Sequence, residues 1–157
     1  MIQIYILSAI VENKPGVLFR VSSMIRRRGF NIESITVGAL KEKDLSRMTL
    51  TIRADETTVE NVVKQLRKLI DILDVSVFEA KDTVARELAL VKLSADDAKL
   101  ILERTPASNC RIIDSSSDPV VLEITGTAEE IDSFFEAADR FRAIEVSRTG
   151  ITALSRG

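Results

Sequence analysis

Two short runs of this chain have the chemistry needed to hold a free amino acid. They are Asn13-Lys14-Pro15-Gly16-Val17-Leu18 and Gly29-Phe30-Asn31-Ile32-Glu33-Ser34. The first run ends an apolar strand and opens a helix that has no acidic capping residue of its own. The first N–H groups of a helix have no partners within it, and the helix dipole favours an anion there. Gly16 has no Cβ, so a ligand can come close to the backbone. The N–H groups of Val17 and Leu18 could then hold a carboxylate in charge-assisted hydrogen bonds. Asn31 offers an amide oxygen for an ammonium and an amide NH2 for a carboxylate. The same residues also serve an ordinary strand-to-helix turn, with Asn13 as a neutral cap and Pro15-Gly16 as the bend. On the residues alone both readings stand.

Other chemistries are excluded or unsupported. The chain has no histidine, so the commonest general base and metal ligand are missing. A Ser-His-Asp device and a His-based zinc site are therefore impossible. Lys14 beside Pro15-Gly16 is no phosphate-binding loop, which needs a longer Gly-rich run ending in Lys-Ser/Thr. Arg26-Arg27-Arg28 suits the dipole at a helix C-terminus. A nucleic-acid site would add strand aromatics to such a run, and only Tyr5 and Phe30 are near. With 22 basic and 24 acidic residues, the net charge of −2 exerts no pull toward nucleic acid or acidic membrane. No apolar run is long enough to span a bilayer, and no secretory signal is visible at Met1-Ile2-Gln3. Cys110 is the single cysteine, which excludes an intrachain disulfide, makes a cytoplasmic address the expectation and suits a small core residue.

The elements that must position the two runs repeat. Strand 2–11, helix 17–28, strands 31–39 and 46–53, a second helix and strand 74–80 give the order β-α-β-β-α-β. Thr57 with Glu60 reads as a capping box for the second helix, followed by an apolar stripe from Val59 to Ile70. Residues 81–86 read as a short polar connector. The order then recurs: strand 87–93, helix 95–104 capped by Ser94 with Asp97, strands 109–114 and 120–126, a helix capped by Thr127 with Glu130, and strand 142–149. Thr105-Pro106 is expected to stop the third helix. The fold class is therefore α+β, two tandem ferredoxin-like domains at 1–80 and 87–157. Strand 2–11 is apolar on both faces, with Ile4, Ile6 and Ile10 on one and Leu7, Ala9 and Val11 on the other. Helices cover one face only, so the second domain or a partner chain is expected on the other. Three of the four helices bring a cap with an acidic third residue, and the first does not.

The motifs resemble a known family. Asn13-x-Pro15-Gly16-Val17-Leu18, the run Arg27 to Val37, and Leu45-Ser46-Arg47-Met48-Thr49 look like the ACT domain of the regulatory (small) subunits of acetolactate synthase. Arg86 to Lys92, Ile112-Ile113-Asp114 and the closing Leu154-Ser155-Arg156-Gly157 resemble the same family's second domain. The resemblance implies a non-catalytic chain that activates a thiamine-diphosphate-dependent catalytic subunit. It also implies feedback inhibition by a branched-chain amino acid, valine above all. No cofactor is expected on this chain; thiamine diphosphate, Mg and FAD would belong to the catalytic subunit. The implied partners are that subunit, a second copy joined through the ACT domain, and the amino acid, with no nucleic acid and no membrane. The implied effector site faces Asn13, Pro15, Gly16, Val17 and Leu18 of one chain with Asn31 and Ile32 of the other, Val37 being a weaker wall candidate. The second domain would contact the catalytic subunit. Some family members continue a few residues past the position of Gly157. An amino-acid-sensing ACT module for another enzyme is the alternative.

Overall fold

A computed structural model describes residues 1–104, 109–138 and 141–156. The expected Thr105-Pro106 stop and the final Gly157 lie outside the described residues. The chain divides into two compact units, Met1–Ala85 with Ile151–Gly157, and Arg86–Gly150.

The first unit runs β1 (Gln3–Glu12), α1 (Val17–Arg27), β2 (Ile32–Ala39), β3 (Leu45–Ala54), α2 (Glu56–Leu66) and β4 (Ile72–Phe78). Its antiparallel sheet has the order β2-β3-β1-β4, as the ferredoxin-like plan requires. Helical spacing puts Val17, Val21, Met24 and Ile25 of α1, and Val59, Val62, Val63 and Leu66 of α2, on buried faces. They pack with alternate strand residues: Leu7, Ala9 and Val11 of β1, and Met48, Leu50 and Ile52 of β3. Gly29, in the left-handed region at φ 76°, closes α1 by donating its N–H to Arg26 C=O at 3.0 Å.

Several expected details change. The cap of α2 is Asp55, whose carboxylate accepts the Thr58 N–H at 2.8 Å, and not Thr57. That bond holds the Asp55 carboxyl below its ordinary pKa. The polar connector at 81–86 is a 3₁₀ turn (Ala80–Asp82) followed at once by β5 (Thr83–Leu93). The tail, assigned by its sequence to the second domain, contains β9 (Thr152–Ser155), pairs with β5, and belongs to the first unit. There it touches β1, and the Ile151 N–H donates to Ser34 Oγ at 3.4 Å. So the face of the first sheet turned away from the helices receives the chain's own tail. That face is also more polar than β1 alone suggests. Buried Ser8, Thr49 and Thr51 lie on it, Ser8 Oγ accepts from Arg47 Nη1 at 2.7 Å, and Ile4 remains half exposed.

The second unit repeats the plan with α3 (Ala95–Arg104), β6 (Cys110–Asp114), β7 (Val120–Gly126), α4 (Ala128–Ala138) and β8 (Glu145–Arg148), in the sheet order β6-β7-β5-β8. Leu93, Leu122, Ile131 and Phe134 are in its core. Cys110, expected in the core, is half-buried on an edge strand, and burial pushes its thiol pKa up.

Candidate functional site

The loop before α1 is fixed by its backbone. The Glu12 N–H donates to Asp71 C=O at 2.9 Å and the Asn13 N–H to Asp44 C=O at 2.8 Å. The chain then turns through exposed Pro15 into Gly16, which adopts φ 85°. That left-handed conformation favours glycine and lets the chain enter the helix without a side-chain cap. No side chain caps α1, and its first turn has no acidic residue. Val17 is buried and its N–H donates to Lys14 C=O at 3.4 Å; Leu18 is half exposed.

The other helix starts are closed by the protein's own oxygens. Asp55 caps α2. At α3 the Asp97 N–H donates to Ser94 Oγ at 3.2 Å, and the Ala95 N–H donates to Asp118 Oδ1 at 3.0 Å. At α4 Thr127 and Glu130 cap each other, with Glu130 N–H to Thr127 Oγ1 at 3.2 Å and Thr127 N–H to Glu130 Oε2 at 2.7 Å. Among the four described α-helices, α1 is the one whose start no side chain caps.

A residue that the sequence did not single out stands at this opening. Arg20 lies one turn into α1, and its Nε donates to Asp71 Oδ2 at 2.6 Å. Asp71 is buried. The pairing holds the guanidinium so that its Nη1 is 3.0 Å from where a Cβ on Gly16 would stand. A cation thus stands beside the uncapped start of α1. The signal was the i, i+4 spacing of Gly16 and Arg20, which puts both on one helix face. Its orienting partner is fifty-one residues away in sequence.

Asn31 and Ile32 are placed elsewhere. They follow the C-terminus of α1, one 11-residue helix from Gly16, which is about 16 Å. Together with Phe19, Ser22 and Phe30 they line an open groove of about 420 Å³. Asn31 is exposed, Ile32 packs partly against the core, and Val37 is half exposed. One protomer therefore brings together Asn13, Pro15, Gly16, Val17 and Leu18, and holds Asn31 and Ile32 apart from them.

Residues 7–74 match the family described as AHAS small subunit-like ACT domain, and residues 86–157 match the small subunit of acetolactate synthase. The chain is 46% identical to the probable acetolactate synthase small subunit of Methanothermobacter thermautotrophicus over 98% of this chain and 93% of that one. It belongs to the acetolactate synthase small-subunit family. The small subunit of Mycolicibacterium smegmatis is 39% identical over 96% of this chain and 90% of its own. The crystal structure of the small subunit from Thermotoga maritima superposes with a TM-score of 0.87 at 33% identity, covering 99% of this chain and 98% of that one.

As an acetolactate synthase small subunit by family, the chain is the regulatory component, and a large catalytic subunit is its implied partner. Among the described residues no group of acidic and cysteine side chains is arranged to hold a metal. No described helix is long and apolar enough to cross a membrane.

Proposed function

We propose that this chain activates the thiamine-diphosphate-dependent catalytic subunit of acetolactate synthase and makes it sensitive to feedback by a branched-chain amino acid, valine foremost. The observation that carries this reading is the start of α1, uncapped and faced by the Arg20 guanidinium. Valine's carboxylate would rest on the N–H groups at 16–18 beside Arg20, and its ammonium would be taken by Asn13 or by Asn31 and nearby carbonyls. Thiamine diphosphate, Mg and FAD would stay with the catalytic subunit, and the second unit would carry much of the contact with it. Inhibition requires valine to prefer the less active arrangement of the complex, because equal affinity for both would shift nothing. Isothermal titration of valine into the chain is the direct test. Heat with a saturable isotherm is expected; no heat from valine, leucine or isoleucine at millimolar ligand overturns the reading.

The helix-length separation of Gly16 from Asn31 supports a site shared by two protomers. In such a dimer Asn31 and Ile32 of one copy would face Gly16 of the other. Phe19, 73% exposed on α1 next to half-exposed Leu18, is a large apolar side chain left in water by one protomer. Phe19→Asp is therefore expected to convert a dimer to monomer in sedimentation and to abolish valine heat. A Phe19→Asp chain that is still dimeric and still binds valine would rule out this geometry.

A further inference from the structure

The tail returns to the strand that carries half of the proposed site. We propose that residues 151–156 form a strap that couples the effector site to the second unit, an inference that rests on the function proposed above. The second unit is joined to the first twice, at Ala85–Arg86 and at Gly150–Ile151. The strap is the second of these joins, and it enters the first unit at Ser34.

The geometry of β2 connects Ser34 with the site. Ile32 lies opposite Ile52, but Ser34 lies opposite Thr51, so Glu33 is the extra residue of a β-bulge. Two residues apart, Ile32 and Ser34 would normally share a face. The bulge sends Ile32 toward the helices, where it lines the groove with Asn31, and sends Ser34 to the opposite face. There Ser34 Oγ is paired with Thr51 Oγ1 and accepts the Ile151 N–H. The bulge thus turns a change at the effector end of β2 into a change at the strap's anchor.

The strap is built to be marginal. Its bond to Ser34 is long at 3.4 Å, outside the usual 2.7–3.2 Å range. Beyond it the strap is a four-residue strand that pairs with β5 and has one buried side chain, Ala153, and a firmer end where the Arg156 N–H donates to Asp82 C=O at 2.7 Å. Short elements with few buried contacts open at low free energy, and switching segments are drawn from that class. In this scheme effector binding favours the docked strap, and by linkage the docked strap must favour the effector by the same factor.

The test uses the full chain assembled with a catalytic subunit, and two variants: Ser34→Ala, and a chain ending at Gly150. Ser34→Ala keeps the Ser34 C=O as an acceptor for Thr51, so the sheet is not left with an orphaned hydroxyl. Both variants are expected to bind valine about fivefold or more weakly by titration, and their complexes to lose valine inhibition while staying activated. In the wild-type chain, valine is expected to slow amide exchange at 151–156. A Ser34→Ala valine Kd within twofold of wild type with inhibition intact overturns the strap, and so does wild-type valine heat with unchanged exchange in the tail. Absence of valine heat from the wild-type chain overturns the proposed function and the strap's role together.

Discussion

Replacing Gly16 with aspartate is expected to weaken valine binding by roughly 100-fold and to leave activation of the catalytic subunit intact. A carboxylate on N–H donors and a guanidinium makes charge-assisted bonds of about 1.5–3 kcal/mol each. Loss of about 3 kcal/mol corresponds to roughly 100-fold in affinity. The substitution removes these bonds in two ways. The new carboxylate stands where the effector's would go, and it draws Arg20 to itself, because the added Cβ is only 3.0 Å from Arg20 Nη1. The protein already shows such an occupant at α3, where Asp118 accepts the Ala95 N–H. The fold is expected to survive. Aspartate tolerates positive φ better than most residues, and the close neighbour is the far end of a flexible side chain. Gly16→Asn, similar in size but uncharged, should weaken binding far less. The two are compared by titration and by valine inhibition of the complex; normal inhibition in Gly16→Asp would remove the loop from the site.

Arg148→Met is expected to destabilise the second unit by about 3 kcal/mol, lowering its melting temperature by roughly 10–20 °C. Arg148 grips Glu87 with two bonds, Nε to Oε1 at 2.8 Å and Nη2 to Oε2 at 2.9 Å, and donates Nη1 to Asp132 at 2.7 Å. Its guanidinium also lies 5.7 Å from the Phe135 ring centre. The bonds to Glu87, and then those to Asp132, hold the guanidinium firmly in its charged form. The Glu87 side chain is only 5% exposed, so removing Arg148 leaves a buried carboxylate without its partner. Arg148 is itself one-third exposed, which sets the expectation at the lower end of the range for broken buried pairs. A unit this small has little stability in reserve. The double change Glu87→Gln with Arg148→Met should recover most of the loss, because no buried charge remains. A single change that leaves the melting curve in place would show that the pair contributes nothing.

The two repeats, their element order and the open start of α1 were legible because each rests on local pattern. Helical spacing, strand alternation and the lack of an acidic residue after Gly16 can all be read within a dozen residues. The cap of α2 was misplaced by two residues because Asp55-Glu56-Thr57-Thr58 contains two overlapping cap patterns, and only the backbone decides between them. Arg20 was missed because its meaning comes from Asp71, far along the chain. Thr83-Val84-Ala85-Arg86 looked like a connector because its partner strand, β9, is contributed by the end of the chain. The bulge at Glu33 marks the hydrophobic pattern only as a three-residue step from Ile32 to Ile35, after which alternation resumes at Val37. The helix-length gap between Gly16 and Asn31 appeared only when the elements were placed.

The return of residues 151–156 to the first unit also sets an order of events during synthesis. An N-terminal domain ordinarily folds as soon as it leaves the ribosome. Here the sheet of the first unit can form early, but its polar face waits for the tail until the whole second unit has been translated. A nascent chain paused before Ile151 would leave Ser34 without its bond to the tail. The regulatory unit is thus the first to be started and the last to be completed.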